Sequence, residues 1–395
     1  MPRARFTKQH AAALAGGLGL LALALLFYHS LAGGTLLAEN VYDSYLLQAQ
    51  NWLAGRMDIA DGASRPWLEL AVFEGRYYLS FPPAPSVLAL PWAALGLSAG
   101  NLTQAVYALV ALAGVYLCFW QQKYSPAACA FWAVFATVGS NFLWMACYGG
   151  VWMEAQALNL CFAVWGIFFY LRRQEVPAFF LLAAAVGCRP FTALLAAVLF
   201  LRPLFECVRQ RRWGRLAAVS ALPLAAAVAL GWYNWARFGS PLEFGRAYLP
   251  EFAREGYAQF SLTYLAQNLK NLLRPVTLDA ALDLKFPMFD GFLPVAATPL
   301  FLVWGAGQVR AIRKKSFDLQ DGILLAGLVF TLLGLCTHRT FGGWQFGARY
   351  TMDLVPWALL FFLRHPPAEP GSGARWLCAA GVLFNFYGAV YLLSH

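Results

Sequence analysis

Charge is what this chain has least of. Of 395 residues, 12% are Asp, Glu, Lys or Arg, against 60% hydrophobic and 16% aromatic. Soluble domains sit near a quarter charged, so a soluble domain is excluded. Segments of about ten residues alternating apolar and polar are also missing, which excludes a transmembrane barrel. The eight cysteines (Cys118, Cys129, Cys147, Cys161, Cys188, Cys207, Cys336 and Cys378) form no CxxC and fall almost all inside apolar runs. They read as small packing residues, not as disulfide partners or metal ligands. The five histidines are far apart and give no metal-ligand spacing. No cofactor is implied, and a carboxylate-bound divalent ion is open but unsupported. No repeat and no separate soluble domain stands out. No small-residue cleavage site follows the apolar run Thr7–Tyr28, so that run reads as a retained span.

What is present is a succession of apolar runs of about 18 residues or more, the mark of an all-α polytopic membrane protein. The formal charge is +10, but the basic residues sit in short clusters between apolar runs. The positive-inside bias accounts for that placement, and no nucleic-acid partner is needed. Arg3, Arg5 and Lys8 put the N-terminus in the cytoplasm, before a first span at about 11–32. The first outer loop then covers 33–97 and ends in a short interfacial helix after a Pro-Pro pair. Spans follow at about 102–120, 127–147 and 151–171. Segment 176–201 has Arg172 and Arg173 before it, a run of Arg after it, and Arg189-Pro190 near its middle. Keeping both flanks cytoplasmic requires a helical hairpin with Arg189 at the turn, although one straight span is the alternative. A span at about 216–236 leads to a second outer loop, 237–290, whose aromatic patches GSPLEFGRAYLPEF and SLTYLAQNLKNLL predict an ordered cover. Further spans fall at about 291–309, 322–337, 351–363 and 376–393. The expectation is one transmembrane domain over 1–395, with nine full spans plus the hairpin, eleven membrane helices in all. Ala-, Leu-, Gly- and Arg-heavy usage points to a bacterial plasma membrane.

Six of the 19 acidic residues lie in Gly33–Pro82: Glu39, Asp43, Asp58, Asp61, Glu69 and Glu74. Glu154, Arg189, His338, Arg339, Arg349 and Tyr350 are placed by the topology on the same outer side. Ionisable groups near membrane depth are costly and face a cavity or a partner. Acids and guanidinium groups converging on one cavity suit an anionic substrate that also needs a base. The plainer readings stay open: Asp43 as a solvated acid or helix cap, Glu154 paired to an Arg, Arg189 as a snorkelling or pairing residue, and His338 and Arg339 as interfacial anchors.

The order of motifs is a first span, a carboxylate in YDSYLLQAQNWLAGRMD, then RYYLSFPPAPSVLALPW, and a basic residue in GCRP within a hairpin. This resembles the GT-C membrane glycosyltransferases, the superfamily of protein O-mannosyltransferases and the lipid A aminoarabinose transferase (family 39-type). The match covers roughly residues 1–240, with GGWQFGARY extending it loosely. One departure is that such relatives carry an adjacent Asp-Glu pair, whereas Ser44 follows Asp43 here, so Glu39 is the competing acid. The resemblance implies a GT-C-like helix bundle that moves a sugar from a polyprenyl-phosphate donor to a glycan, lipid or protein acceptor, inverting the anomeric centre. It implies Asp43 as base, and Arg189, Arg339 and Arg349 as phosphate clamps, with Arg189 favoured. Tyr45, Tyr77, Tyr78 and Trp344 would line the sugar or lipid sites. The rival expectation is a transporter or flippase of a lipid-linked or anionic substrate, which calls for matching broken helices in two halves.

Overall fold

The structure is a computed structural model that describes residues 5–98, 100–250, 258–281, 283–365 and 369–394. Arg3, the end of the GSPLEFGRAYLPEF patch and part of the loop HPPAEPGSGAR lie outside the described residues. The first span forms as α1 (Lys8–Leu31), N-capped by the Thr7 hydroxyl. The segment expected as the first outer loop then folds as α2 (Ser44–Leu53), the hairpin β1 (Leu70–Phe73) and β2 (Arg76–Leu79), and α3 (Ala84–Ala94), which packs on α2. Glu74 and Gly75 turn the hairpin at φ 49° and 72°, both in the left-handed region that two-residue hairpin turns require.

The bundle centres on α4 (Gly100–Gln121) and α7 (Val151–Leu171), which pack along each other. They start together: a Cβ on Gly149 would lie 2.3 Å from the Gly100 carbonyl oxygen, so only glycine allows this approach. The helix α1 runs against α4, because His10 Nδ1 lies 3.0 Å from the Tyr116 hydroxyl near the end of α4. Asn101, at the start of α4, meanwhile donates to the Thr35 carbonyl just after α1. The starts of α4 and α7 and the end of α1 therefore share one end of the bundle.

The segment expected to span 127–147 is divided into α5 (Pro126–Ala136) and α6 (Phe142–Ala146). Thr137 donates to the Ala133 carbonyl at 2.7 Å and Ser140 to that of Ala136 at 2.9 Å, so hydroxyls satisfy the carbonyls at the break. The segment at 291–309 is divided likewise, into α12 (Pro294–Ala297) and α13 (Leu300–Arg313), at Thr298-Pro299. The two breaks meet, with the Asn141 amide 3.3 Å from the Thr298 hydroxyl.

Between these lies the hairpin, α8 (Glu175–Val186) and α9 (Thr192–Arg209), with Arg189 in its turn as expected. Its open ends are clasped together. Arg173 meets Glu206 at 2.6 Å, while Arg215 meets Glu175 at 2.8 Å and Glu206 at 3.1 Å. A single straight span would hold these residues a bilayer apart. Next come α10 (Trp213–Phe238), α11 (Leu265–Asn271) and a small antiparallel pair, β3 (Thr277–Leu278) and β4 (Leu284–Lys285). The chain ends with α14 (Leu319–Cys336), α15 (Val355–Arg364) and α16 (Ser372–Tyr391). Asp318 caps α14 in a reciprocal box with Asp321, and Arg364 closes on both carboxylates. Among the described residues five helices are long and apolar enough to cross a membrane: α1, α4, α7, α10 and α14. Of the other expected spans, 127–147 and 291–309 form as broken helices, 351–363 forms as the ten-residue α15, and 376–393 forms as the unbroken 20-residue α16.

Candidate active site

At the end of the bundle where α4 and α7 start, a cavity of about 990 Å³ opens between the 33–97 segment, α7, the hairpin turn and the 338–350 loop. That volume is at the upper end of ordinary ligand sites. Each wall comes from a different stretch of chain. The 33–97 segment supplies Tyr42, Tyr45, Glu69 and Ser80; α7 supplies Trp152; the hairpin turn supplies Arg189; and the loops supply Arg246, His338 and Arg349.

The cationic groups differ sharply in their surroundings. Arg189 donates from Nε and Nη2 to the same oxygen of Asp353, at 3.0 and 2.7 Å. Asp353 is 6% exposed and is reached on its other oxygen by Asn159, which in turn accepts from Thr192. Arg189 is thus charge-paired, and its planar group lies over the Tyr350 ring at 4.6 Å. Arg349 is 4% exposed and has no acid partner among the described residues. It is held by neutral acceptors only: the Gly342 carbonyl takes Nε at 3.2 Å and Nη2 at 2.8 Å, and Gln156 takes Nη1 at 3.0 Å. A guanidinium has five N–H donors. Among the described residues one N–H on each terminal nitrogen of Arg349 makes no hydrogen bond, and a planar guanidinium suits phosphate oxygens. Arg246 is half-buried, with its guanidinium 4.8 Å over the Phe81 ring.

His338, expected beside these cations as a substrate contact, does line the cavity. Burial above all, then Arg246, holds its imidazole down at about 4, so it is neutral at pH 7. Its Nδ1 lies 2.7 Å from the Thr340 carbonyl and therefore carries the proton. Tyr350 also lines the cavity, between the two guanidinium groups. Arg339 is half-buried and is not among the lining residues; its amide N–H donates to the Gln259 carbonyl.

The acids are arranged less simply. Asp43 caps α2, its carboxylate accepting the Leu46 N–H at 2.9 Å. In sequence it falls between two cavity-lining tyrosines, Tyr42 and Tyr45, but it does not itself line the cavity. Burial pushes its carboxyl up to about 6, opposed by the Leu46 N–H and assisted by Glu39. Glu39 is exposed and away from the cavity wall. Glu154 is 3% exposed behind the wall, with Oε2 unpartnered among the described residues. The carboxylate that does line the cavity is Glu69, which accepts from Trp152 Nε1 at 3.2 Å. Its φ of 52° is unusual for a residue with a Cβ, and such backbone strain clusters at functional sites.

Tyr77 and Tyr78 are placed elsewhere. They border a separate shallow pocket of about 610 Å³ with Arg56, Asp58 and Arg76. It is the end of the same motif, Ser80, Phe81 and Pro82, that reaches the main cavity. Buried Arg237 pins that stretch by donating to the Leu79 carbonyl at 2.6 Å. Trp344 lines the cavity, half-exposed. Glu69, Arg246 and Ser80 were missed as site residues by sequence reasoning. The acidic loop flagged Glu69's neighbourhood, but nothing local marked the turn that aims it. Among the described residues no three His, Cys, Asp or Glu side chains come together as metal ligands.

This architecture is the GT-C-like helix bundle expected from the resemblance in the sequence, a likeness of fold. It is shared with the crystal structure of ArnT from Cupriavidus metallidurans bound to undecaprenyl phosphate. The identity is 14% over 96% of this chain and 77% of that one, with a TM-score of 0.55. It is also shared with the oligosaccharyltransferase of Archaeoglobus fulgidus in its apo form, at 13% identity over 96% of this chain and a TM-score of 0.52. There the likeness spans 56% of the other chain. No family model and no curated protein sequence matches.

Proposed function

We propose that this protein is a glycosyltransferase that takes a sugar from a polyprenyl-phosphate carrier and hands it to a glycan, lipid or protein acceptor. Transfer takes place on the face of the membrane opposite the basic clusters, the outer face by the positive-inside bias. The observation that carries the reading is Arg349, a buried cation with no acid partner among the described residues, in the wall of a cavity that also presents a carboxylate. A buried unpaired charge is costly and calls for a counter-ion. In the proposed step the acceptor oxygen bonds to the anomeric carbon as its proton passes to a carboxylate. The bond from that carbon to the phosphate oxygen breaks, and the electron pair leaves with the phosphate. Arg349, with Arg246 lining the same cavity, holds the charge that grows there. Arg189 acts through its pairing with Asp353 and orients the site from the hairpin turn.

Asp43 is the proposed base, supported by its sequence position beside the cavity-lining Tyr42 and Tyr45 and by a carboxyl near 6. One observation favours Glu69 in that role: it lines the cavity. Transfer assays in proteoliposomes with a panel of polyprenyl-phosphate sugars separate the two. General-base removal costs roughly 10²–10⁴-fold. A loss of that size in Asp43→Asn with Glu69→Gln near wild type assigns the base to Asp43, and the reverse assigns it to Glu69. Substrate flux across the bilayer without transfer from any carrier replaces the transferase reading with a transporter.

A further inference from the structure

Buried polar atoms in folded proteins are nearly all hydrogen-bonded, and each exception calls for an explanation. Two such exceptions fall on one wall of the cavity. Tyr45 is 0% exposed and Ser80 is 4% exposed, yet neither hydroxyl has a hydrogen-bond partner among the described residues. Both residues line the cavity. The next polar groups along α2 contrast with them: Gln48 donates to the Tyr233 hydroxyl at 2.7 Å and accepts from Ser86 at 2.7 Å. Behind Tyr45 lies Glu154, close enough to act on it electrostatically and with its own Oε2 unpartnered among the described residues.

The wall is also rigid. Tyr45 packs in one cluster with Ile59, Leu68, Leu79 and Phe81, and Arg237 fixes the Leu79 carbonyl just before Ser80. Beside it, the rings of Tyr42 and Trp152 lie 5.9 Å apart and both line the cavity. Fixed hydroxyls next to aromatic faces match a sugar ring, which has hydroxyls at its edge and C–H groups on its faces. Two cations act on Tyr45, Arg189 and Arg246. Arg189 is already neutralised by Asp353, and Arg246 is engaged with the carrier phosphate in the reading above. This wall therefore offers no charge clamp for a carboxylated sugar.

We propose that Tyr45 and Ser80 form the subsite for the transferred sugar, a neutral ring with free hydroxyls, while the carrier phosphate sits on Arg349. This rests on the transferase reading above and specifies its substrate. The test uses the full-length protein in proteoliposomes with a carrier sugar that the wild type transfers, and with single-deoxy versions of that sugar. Tyr45→Phe and Ser80→Ala are each expected to lower kcat/KM about tenfold or more on the full sugar. Each is expected to erase the wild type's discrimination against the deoxy donor that lacks the matching hydroxyl. Melting temperatures should stay level or rise, because an unpartnered hydroxyl adds nothing to the fold. Wild-type kcat/KM in both variants, with discrimination retained, overturns the subsite and leaves the transferase reading standing. Lost transfer with a lowered melting temperature makes the role structural and also overturns it. Preference of the wild type for a carboxylated sugar overturns the neutral-ring assignment. No transfer from any carrier by the wild type removes the transferase reading and the subsite with it.

Discussion

Replacing Arg349 tests the charge arrangement most directly. Among the described residues the guanidinium makes three hydrogen bonds to neutral acceptors, with one N–H on each terminal nitrogen making none. In Arg349→Met the growing phosphate charge loses a fixed, desolvated cation. Truncating one partner of a buried, hydrogen-bonded charge pair costs about 2–5 kcal/mol. At about 1.4 kcal/mol per tenfold, kcat/KM should fall roughly 30- to 4,000-fold. Arg349→Lys keeps the charge but loses the planar fork, so about 10-fold or more should still be lost. The assay is initial-rate transfer in proteoliposomes, with the free carrier phosphate added as a competitive inhibitor. Its inhibition constant should rise in parallel, because the same oxygens are held before and after transfer. The reasoning fails if both variants keep kcat/KM and the inhibition constant within about threefold of wild type, well below the losses expected from a buried charge pair. It also fails if Arg189→Lys weakens inhibition by the phosphate more than Arg349→Lys does.

Three further outcomes are expected. Asp353→Asn breaks the buried pair with Arg189 and should destabilise the fold by about 3–5 kcal/mol, seen as a lowered melting temperature in detergent; an unchanged melt would remove its structural role. If Asp43 is the base it must be deprotonated to work, so the transfer rate should rise with pH through about 6 and level off above it, and Asp43→Asn should abolish that rise. For topology, Leu37→Cys should be labelled only from outside and Ile312→Cys only from inside, both positions being exposed; labelling of Val208→Cys from outside would sink the shared inner placement of the hairpin ends.

Hydropathy and basic clusters, read along the chain, were enough for the class of protein, the order of its helices and the hairpin with Arg189 at its turn. They sufficed because membrane insertion is local: each apolar run is priced by its own length and composition, and each basic flank by its own charge. The same locality explains the misreadings at 127–147 and 291–309. Both runs are mostly apolar with short interruptions, Thr137 to Asn141 in one and Thr298-Pro299 in the other, and hydropathy summed over a span does not register where such residues break the helix. The site is a matter of pairing, which composition does not encode. Arg189 and Arg349 look alike in sequence, yet Arg189 bonds to an aspartate 164 positions away while the hydrogen bonds of Arg349 among the described residues go to neutral acceptors. Tyr45 and Ser80 are ordinary residues until tertiary packing buries both hydroxyls without a partner among the described residues. Glu69 is one of six loop acids until its left-handed backbone aims it at the cavity. Charge balance and hydrogen-bond satisfaction depend on which distant groups the fold brings together, so the structure alone decided them.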